Sequence, residues 1–331
     1  MTVHIDQQPI LTVDIGGTTI LIALVSTEGE ILAREYCPTV AEEGPRPVID
    51  RMLSAIDKLL KSRNISPSQL HSISIAAAGA IDVDSGIVTM SPSLPGWVDV
   101  PLRDTVEAAY GISTFLLNDA NAAALGEHRF GAGRGSANLV YITVSTGIGG
   151  GIIIDNNLYS GTSGSAGDVG HMTIDVNGPV CNCGSTGCLE TLASGTAVAR
   201  EAINRIKNGE RSSLAETKDG IENITAEKVG QAAREGDALA LAVVSRAARY
   251  LGVGLANLVN ILNPDIIIVG GGLSKLGDLL LEPAREVMRE RAFRLPARAV
   301  RIVPSQLGDD AGVLGAVLFA HQTKKAMNEP A

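Results

Sequence analysis

Aromatic residues are scarce in this 331-residue chain, at 3% of the total, so its core has to be packed from Val, Ile, Leu and Ala. Positive charge is also short: 27 Lys and Arg stand against 36 Asp and Glu, a net charge of -9. Binding to a phosphate backbone needs clustered Lys and Arg, and no such cluster occurs, so a nucleic-acid partner is not expected. The start lacks a basic region followed by an apolar stretch and a small-residue cleavage site. No uninterrupted apolar run reaches the ~18 residues of a membrane span, so neither a signal peptide nor a membrane anchor is expected. Cysteine is rare, with Cys37 alone and three others between positions 181 and 188. That arrangement is no disulfide framework and suits a reducing, cytoplasmic setting. Two phosphate-binding signatures are missing as well. There is no Gly-Lys pair and no G-x-G-x-x-G, which excludes a Walker A loop and the dinucleotide fingerprint.

What the chain does contain is alternation. Hydrophobic residues at 45% and charged residues at 19% describe a packed protein. A length of 331 residues exceeds what one core organises, which predicts two lobes. "ILTVDIGGTTILIALV" (10–25) reads as two apolar strands about a glycine turn, "RPVIDRMLSAIDKLLKSRN" as a helix, and "LHSISIAAAGAI" as a buried strand. "TFLLNDANAAALGEHRFG" places a strand before an alanine-rich helix starting near Ala120, and "NLVYITVSTGIGGGIII" repeats the opening pattern of strand, small polar turn, strand. Past residue 195 helices dominate, interrupted by the strand of "PDIIIVGGGLSK"; the polar stretch 207–223 reads as a surface loop. The class is α/β, with helices covering the sheets.

Three glycine turns follow apolar strands: "DIGGTT" (14–19), "STGIGGG" (145–151) and "GGG" (270–272). Glycine lets backbone N–H groups close on an anion, so Gly16, Gly17, Gly147, Gly271 and Gly272 are candidate phosphate contacts. The hydroxyls of Thr18, Thr19 and Thr146 could join them, and Asp14 could hold the hydration shell of Mg²⁺. His171, Cys181, Cys183 and Cys188 make three thiolates and one imidazole, a closed tetrahedral set that favours structural zinc. Gly184 and Gly187 between the cysteines suit a knuckle better than an apolar strand. Asn118 and Asp119 fall where a strand meets a helix N-terminus. There they read either as helix caps or as a carboxylate and its neighbour serving a transferred proton.

"DIGGT", "NDANAAALGE", "TGIGGG", "GHM" with "CNCGSTGCLE", "SG", "VGGGLS" and "LGDDAGVLGA" follow one another as in the ROK family of sugar kinases and sugar-responsive repressors. The resemblance runs from about residue 10 to about residue 320. It implies an actin-like ATPase (ribonuclease H-like) fold with ATP between two lobes and a sugar at the bottom of the cleft. The implied lobes are 1–117 with a returning segment 312–331, and 118–311. Asp119 matches the catalytic base, and Asn118, Asp119, Asp168, His171 and Glu190 the sugar contacts. His171 is implied to bind zinc through one ring nitrogen and a sugar hydroxyl through the other. The expected activity is ATP-dependent phosphorylation of a hexose 6-hydroxyl, with glucose the leading substrate. N-acetylmannosamine, N-acetylglucosamine, fructose and mannose stay open, as does polyphosphate as donor. Family members are mostly dimers or higher oligomers, which implies a homodimer or homotetramer here. Repressors of the family carry a winged helix ahead of the first glycine turn, and only thirteen residues precede Asp14 here, so a DNA-binding role is not expected. A sugar-sensing regulator without catalysis is the other reading. Four positions depart from the pattern: Asp168 stands where Glu is usual, Ser93 where Asn is, and Thr19 and Ser145 where Lys and Gly are frequent; "AAAGAI" also lacks a usual proline.

Overall fold

A computed structural model describes residues 8–216 and 220–328, with side chains described as far as residue 324. The first seven residues, 217–219 of the expected surface loop and 329–331 of the expected returning segment lie outside the described residues. Two five-stranded sheets carry the fold. In the first, β1 (Ile10–Ile15), β2 (Thr19–Val25) and β3 (Ile31–Pro38) form an antiparallel meander, followed by α1 (Pro45–Ser62) and β4 (Ser72–Ala77). Short strands β5 (Ala80–Asp82), β6 (Ile87–Met90) and β7 (Val98–Val100) make a small separate sheet, and α2 (Leu102–Tyr110) leads to β8 (Thr114–Asn118). The strand order is β3-β2-β1-β4-β8, with β1, β4 and β8 parallel.

Helix α3 (Asp119–Phe130) crosses to the second sheet, which opens on the meander β9 (Leu139–Val144), β10 (Ile148–Ile154) and β11 (Asn157–Leu158). Helices α4 (Leu189–Ala193), α5 (Gly195–Lys207), α6 (Ala226–Arg234) and α7 (Ala238–Leu262) precede β12 (Ile266–Gly270). After α8 (Asp278–Arg291) and α9 (Arg294–Ala299) come β13 (Arg301–Pro304) and α10 (Ala311–Asn328). The order β11-β10-β9-β12-β13 repeats that of the first sheet strand for strand, with β9, β12 and β13 parallel. The recurring sequence pattern is therefore a recurring topology. Strand β13 is the member that the helix-dominated reading of the C-terminal part missed: four residues, one of them buried, show no usable alternation.

Ile15, Ala77 and Asn118 stand in register at the carboxyl ends of β1, β4 and β8, as Thr143 and Gly270 do on β9 and β12. Parallel sheets bind ligands beyond these ends, and the two sheets turn theirs toward a common cleft. The turn read as 145–151 is shorter than expected. Gly149, Gly150 and Gly151 belong to β10, where a side chain on Gly151 would meet the Ala120 carbonyl at 2.7 Å and one on Gly150 the Gly167 carbonyl at 2.8 Å. Those glycines admit α3 and the 167–169 loop; residues 145–147 alone make the turn. Helix α7 has the length and hydropathy to cross a membrane, yet Val243, Leu251, Leu255 and Val259 are buried in the larger hydrophobic core. The stretch expected as a surface loop, 207–223, carries two short 3-10 helices, Ser213–Glu216 and Ile221–Asn223, among its described residues, and Leu214 anchors it to that core.

Helices α3 and α10 cross between the sheets at backbone contact. A β-carbon on Gly315 would lie 1.6 Å from the Ala122 carbonyl oxygen, and one on Gly126 2.3 Å from that of Ala311. In an ordinary helix Gly→Ala stabilises by about 1 kcal/mol. Here the sign reverses: Gly315→Ala is expected to destabilise by about 1–3 kcal/mol, as overpacking does, read as a lower urea midpoint at unchanged slope.

Candidate active site

Between the sheets lies a cleft of about 720 Å³ lined from both sides. The first sheet contributes Asp14, the turn of Gly16, Gly17, Thr18 and Thr19, and the Ala78–Gly79 segment after β4. The second contributes Ser145, Thr146, Gly147 and Gly271. Gly272 is not among the lining residues; it opens a single-turn helix behind Gly271. Each turn is held open by short main-chain bonds, with Gly16 N–H donating to the Thr19 carbonyl at 3.1 Å and Ser145 N–H to that of Gly147 at 2.9 Å.

Asn118 and Asp119 stand at the start of α3 on the cleft wall. Asn118 is the N-cap: its Oδ1 accepts from Asn121 N–H at 3.0 Å, worth about 1 kcal/mol, while Nδ2 donates to the Gly79 carbonyl at 3.0 Å. Asp119 is thereby left uncommitted as a cap, with Oδ1 accepting from Ala120 N–H at 2.8 Å. Burial raises its carboxyl above the ordinary range, the Ala120 N–H opposes that, and Asp168 adds to it. A buried carboxylate with a raised value has the basicity to accept a proton from an alcohol held against it.

Asp168, His171 and Glu190 line the far wall, together with Cys183. Glu190 sits in the first turn of α4, and its Oε2 accepts from Ile148 N–H at 2.9 Å. Burial raises Asp168, with His171 opposing and Glu190 adding. Behind this wall the ligand atoms of His171, Cys181, Cys183 and Cys188 lie within 4.8 Å of one another. The Cys183 and Cys188 sulfurs are 3.7 Å apart, and Cys181 Sγ is 3.7 Å from His171 Nδ1. Two sulfurs at about 2.3 Å from one tetrahedral ion stand about 3.8 Å apart, so the two pairs at 3.7 Å have the spacing that such an ion would impose. His171 turns Nδ1 to that cluster while the ring lines the cleft.

The sequence reading assigned no role to several residues that complete the site. Asp309 lines the cleft beside Asp14 from the loop before α10, and Gly312 makes that approach possible, since a β-carbon there would sit 2.2 Å from Asp14 Oδ2. Glu127 is fully buried at the other end of α3; its Oε1 accepts from Ser305 Oγ and Leu307 N–H at 2.5 and 2.8 Å, and Oε2 from Ala132 N–H at 2.8 Å. These bonds fix the loop that carries Asp309. The signal for both acids, the doublet in "LGDDAG" and the Glu of "ALGE", is present in the sequence but carries no indication of its spatial partner. Four aspartates and Glu190 line the cleft, and no Lys or Arg does.

Asp14 has its carboxyl pushed up to about 8 by burial, then by Asp119 and Asp309. Because the folded value exceeds the ordinary 3.8, the stability tied to this group is fully present below about pH 4 and is lost as pH climbs through about 8. Asp14→Asn removes that loss. Thermal melts of the ligand-free variant are expected to gain on wild type between about pH 5 and about pH 9, whereas a gain equal at both ends would refute this assignment.

Residues 10–323 match the profile of the ROK family. The glucokinase of Halalkalibacterium halodurans is 41% identical over 318 residues, 96% of each chain. The xylose repressor of Caldicellulosiruptor bescii is 36% identical over 317 residues, 96% of this chain and 79% of its own. Among solved structures, a ROK family glucokinase from Streptomyces griseus in complex with glucose and AMPPNP superposes with a TM-score of 0.84 at 36% identity, covering 95% of this chain and 99% of that one. The repeated sheet order, the cleft and its glycine turns are those of the actin-like two-lobed fold. With one profile spanning both sheets and the cleft between them, the chain belongs to the ROK family.

Proposed function

We propose that the chain is an ATP-dependent hexose kinase that phosphorylates the 6-hydroxyl of a sugar, glucose before others. The observation that carries this reading is the placement of Asp119, a buried carboxylate free of capping duty, between the glycine turns and the wall of Asp168, His171 and Glu190. The likeness to a glucokinase that holds glucose and AMPPNP supports it.

In this reading the sugar lies against Asn118, Asp168, His171 and Glu190, whose acceptors and ring nitrogen match vicinal hydroxyls. Asp119 takes the proton of the 6-hydroxyl as its oxygen attacks the γ-phosphorus in line and ADP leaves. Gly16, Gly17, Thr18, Thr146, Gly147 and Gly271 offer N–H and hydroxyl donors to the phosphates, with Gly272 behind them. A cleft with five carboxylates and no Lys or Arg cannot by itself take a polyanion. Mg²⁺, held through water by Asp14, supplies the missing positive charge when bound. His171, Cys181, Cys183 and Cys188 would hold a structural zinc, four protein donors filling a tetrahedral ion, and their hold on it would fix the His171 ring toward the sugar.

The lobes are proposed as 1–117 with 312–331, and 118–311, closing over the substrates to exclude water. We place the protein in the cytoplasm as a homodimer or homotetramer without a nucleic-acid or membrane partner. The free-thiol metal cluster and the net charge of -9 support that placement.

The test is ADP release with Mg-ATP across glucose, mannose, fructose and the N-acetylhexosamines. Sugar-dependent turnover is expected with glucose, and Asp119→Asn is expected to lower kcat by about 10²–10⁴-fold with the glucose Kd little changed. Sugar-induced stabilisation without turnover on any sugar would replace this reading with a sugar sensor, the alternative to which Ser93, Asp168 and Ser145 at the cleft lend support. Stripping the metal with a chelator, or Cys188→Ser, is expected to lower Tm and weaken glucose binding about tenfold or more, measured by calorimetry.

A further inference from the structure

Residues 188–196 run from the metal cluster to the phosphate turn of the second sheet and are bonded to both. Cys188 belongs to the cluster and caps α4 at its start. Two residues on, Glu190 Oε2 accepts from Ile148 N–H at 2.9 Å. Beyond α4, Gly195 N–H donates to the Ser145 carbonyl at 2.7 Å, and Thr196 Oγ1 donates to the Thr146 carbonyl at 2.8 Å. Thr196 N–H donates to the same carbonyl at 3.4 Å, so four bonds from one splint converge on four consecutive residues, 145–148. Together they fix two carbonyls and one N–H, so the peptide planes that present Thr146 and Gly147 to the cleft are set by this segment.

Glu190 is the member of the splint that faces both ways. It lines the cleft, and among the described residues no donor meets its Oε1, while Oε2 belongs to the turn. The contact is tight: a β-carbon on Gly147 would lie 2.4 Å from Glu190 Oε2. A carboxylate bound at one oxygen by a main-chain N–H and at the other by a hexose hydroxyl has no rotamer freedom left. Sugar therefore orders the turn, and by linkage a nucleotide on the turn orders the sugar contact by the same factor.

Resting on the kinase reading above, we propose that Glu190 is a positioning residue for the phosphate turn as well as a sugar contact, and that hexose and nucleotide bind cooperatively through its bond to Ile148 N–H. The role is distinct from that of Asp168, a carboxylate on the same wall with no bond to the turn.

The experiment is calorimetric titration of full-length, metal-loaded protein with Mg-AMPPNP, in the absence and presence of saturating glucose. Wild type is expected to bind the nucleotide about fivefold or more tightly with glucose present. Glu190→Ala is expected to weaken AMPPNP about tenfold without any sugar, because Ile148 N–H loses its partner, and to reduce the glucose effect to about onefold. Glu190→Gln keeps a carbonyl oxygen for Ile148 N–H and is expected to restore sugar-free AMPPNP affinity to within about twofold while glucose binding stays weak. Asp168→Asn is expected to weaken glucose alone. The proposal is overturned if Glu190→Ala binds AMPPNP like wild type, if Glu190→Gln loses as much nucleotide affinity as Glu190→Ala, or if wild-type affinity ignores glucose. In each of those cases wild type still binds both ligands and the kinase reading stands. A wild type that binds neither glucose nor AMPPNP overturns that reading and this proposal with it.

Discussion

The cleft hangs from α3, and α3 exists in its position because alanine and glycine let two backbones touch. Every residue from Ala120 to Glu127 is buried between the sheets and α10. Larger side chains would hold the helices apart, and with them the two ends of the site. At its start the helix carries Asn118 and Asp119; at its end the fully buried Glu127 grips the loop of Ser305 and Leu307. That loop leads into Asp309 and Gly312 beside Asp14. One helix thus sets the distance between the Asn118–Asp119 end of the cleft and the acidic corner of Asp14 and Asp309.

The electrostatics of the cleft follow from what surrounds it. Burial raises Asp14, Asp119 and Asp168, and each raises a neighbour or is raised by one. The arrangement is unfavourable in the empty protein, and such strain at a site is what binding of cations and hydroxyl donors relieves. Lys275 on the rim, 3.6 Å from Asp309, is too exposed to offset it.

Much of this was legible in the sequence because it was written in local patterns. The meanders of β1 with β2 and of β9 with β10 announce themselves by apolar runs broken at small polar turns. The Cys₃His donor set is a matter of spacing within eighteen residues. What the sequence hid depends on distant partners. Gly149 to Gly151 read like a continuation of the turn until α3 packs on them, and Asn118 against Asp119 as the cap is decided by which side chain reaches Asn121. Asp309 and Glu127 needed the loop between β13 and α10 to be folded back before a role could be assigned. The four-residue β13 is a strand because β12 pairs with it, not because its own residues insist on it.

The two sheets share one strand order, yet the halves are not equivalent around the cleft. In the first half β3 is followed directly by a covering helix; in the second, some thirty residues separate β11 from α4, and they include Asp168 and the whole donor set. The shared order leaves a symmetric pair of glycine turns at the cleft, and the extra segment breaks the symmetry on one side only. The far wall of the cleft therefore comes from one half alone, whereas each half supplies a glycine turn.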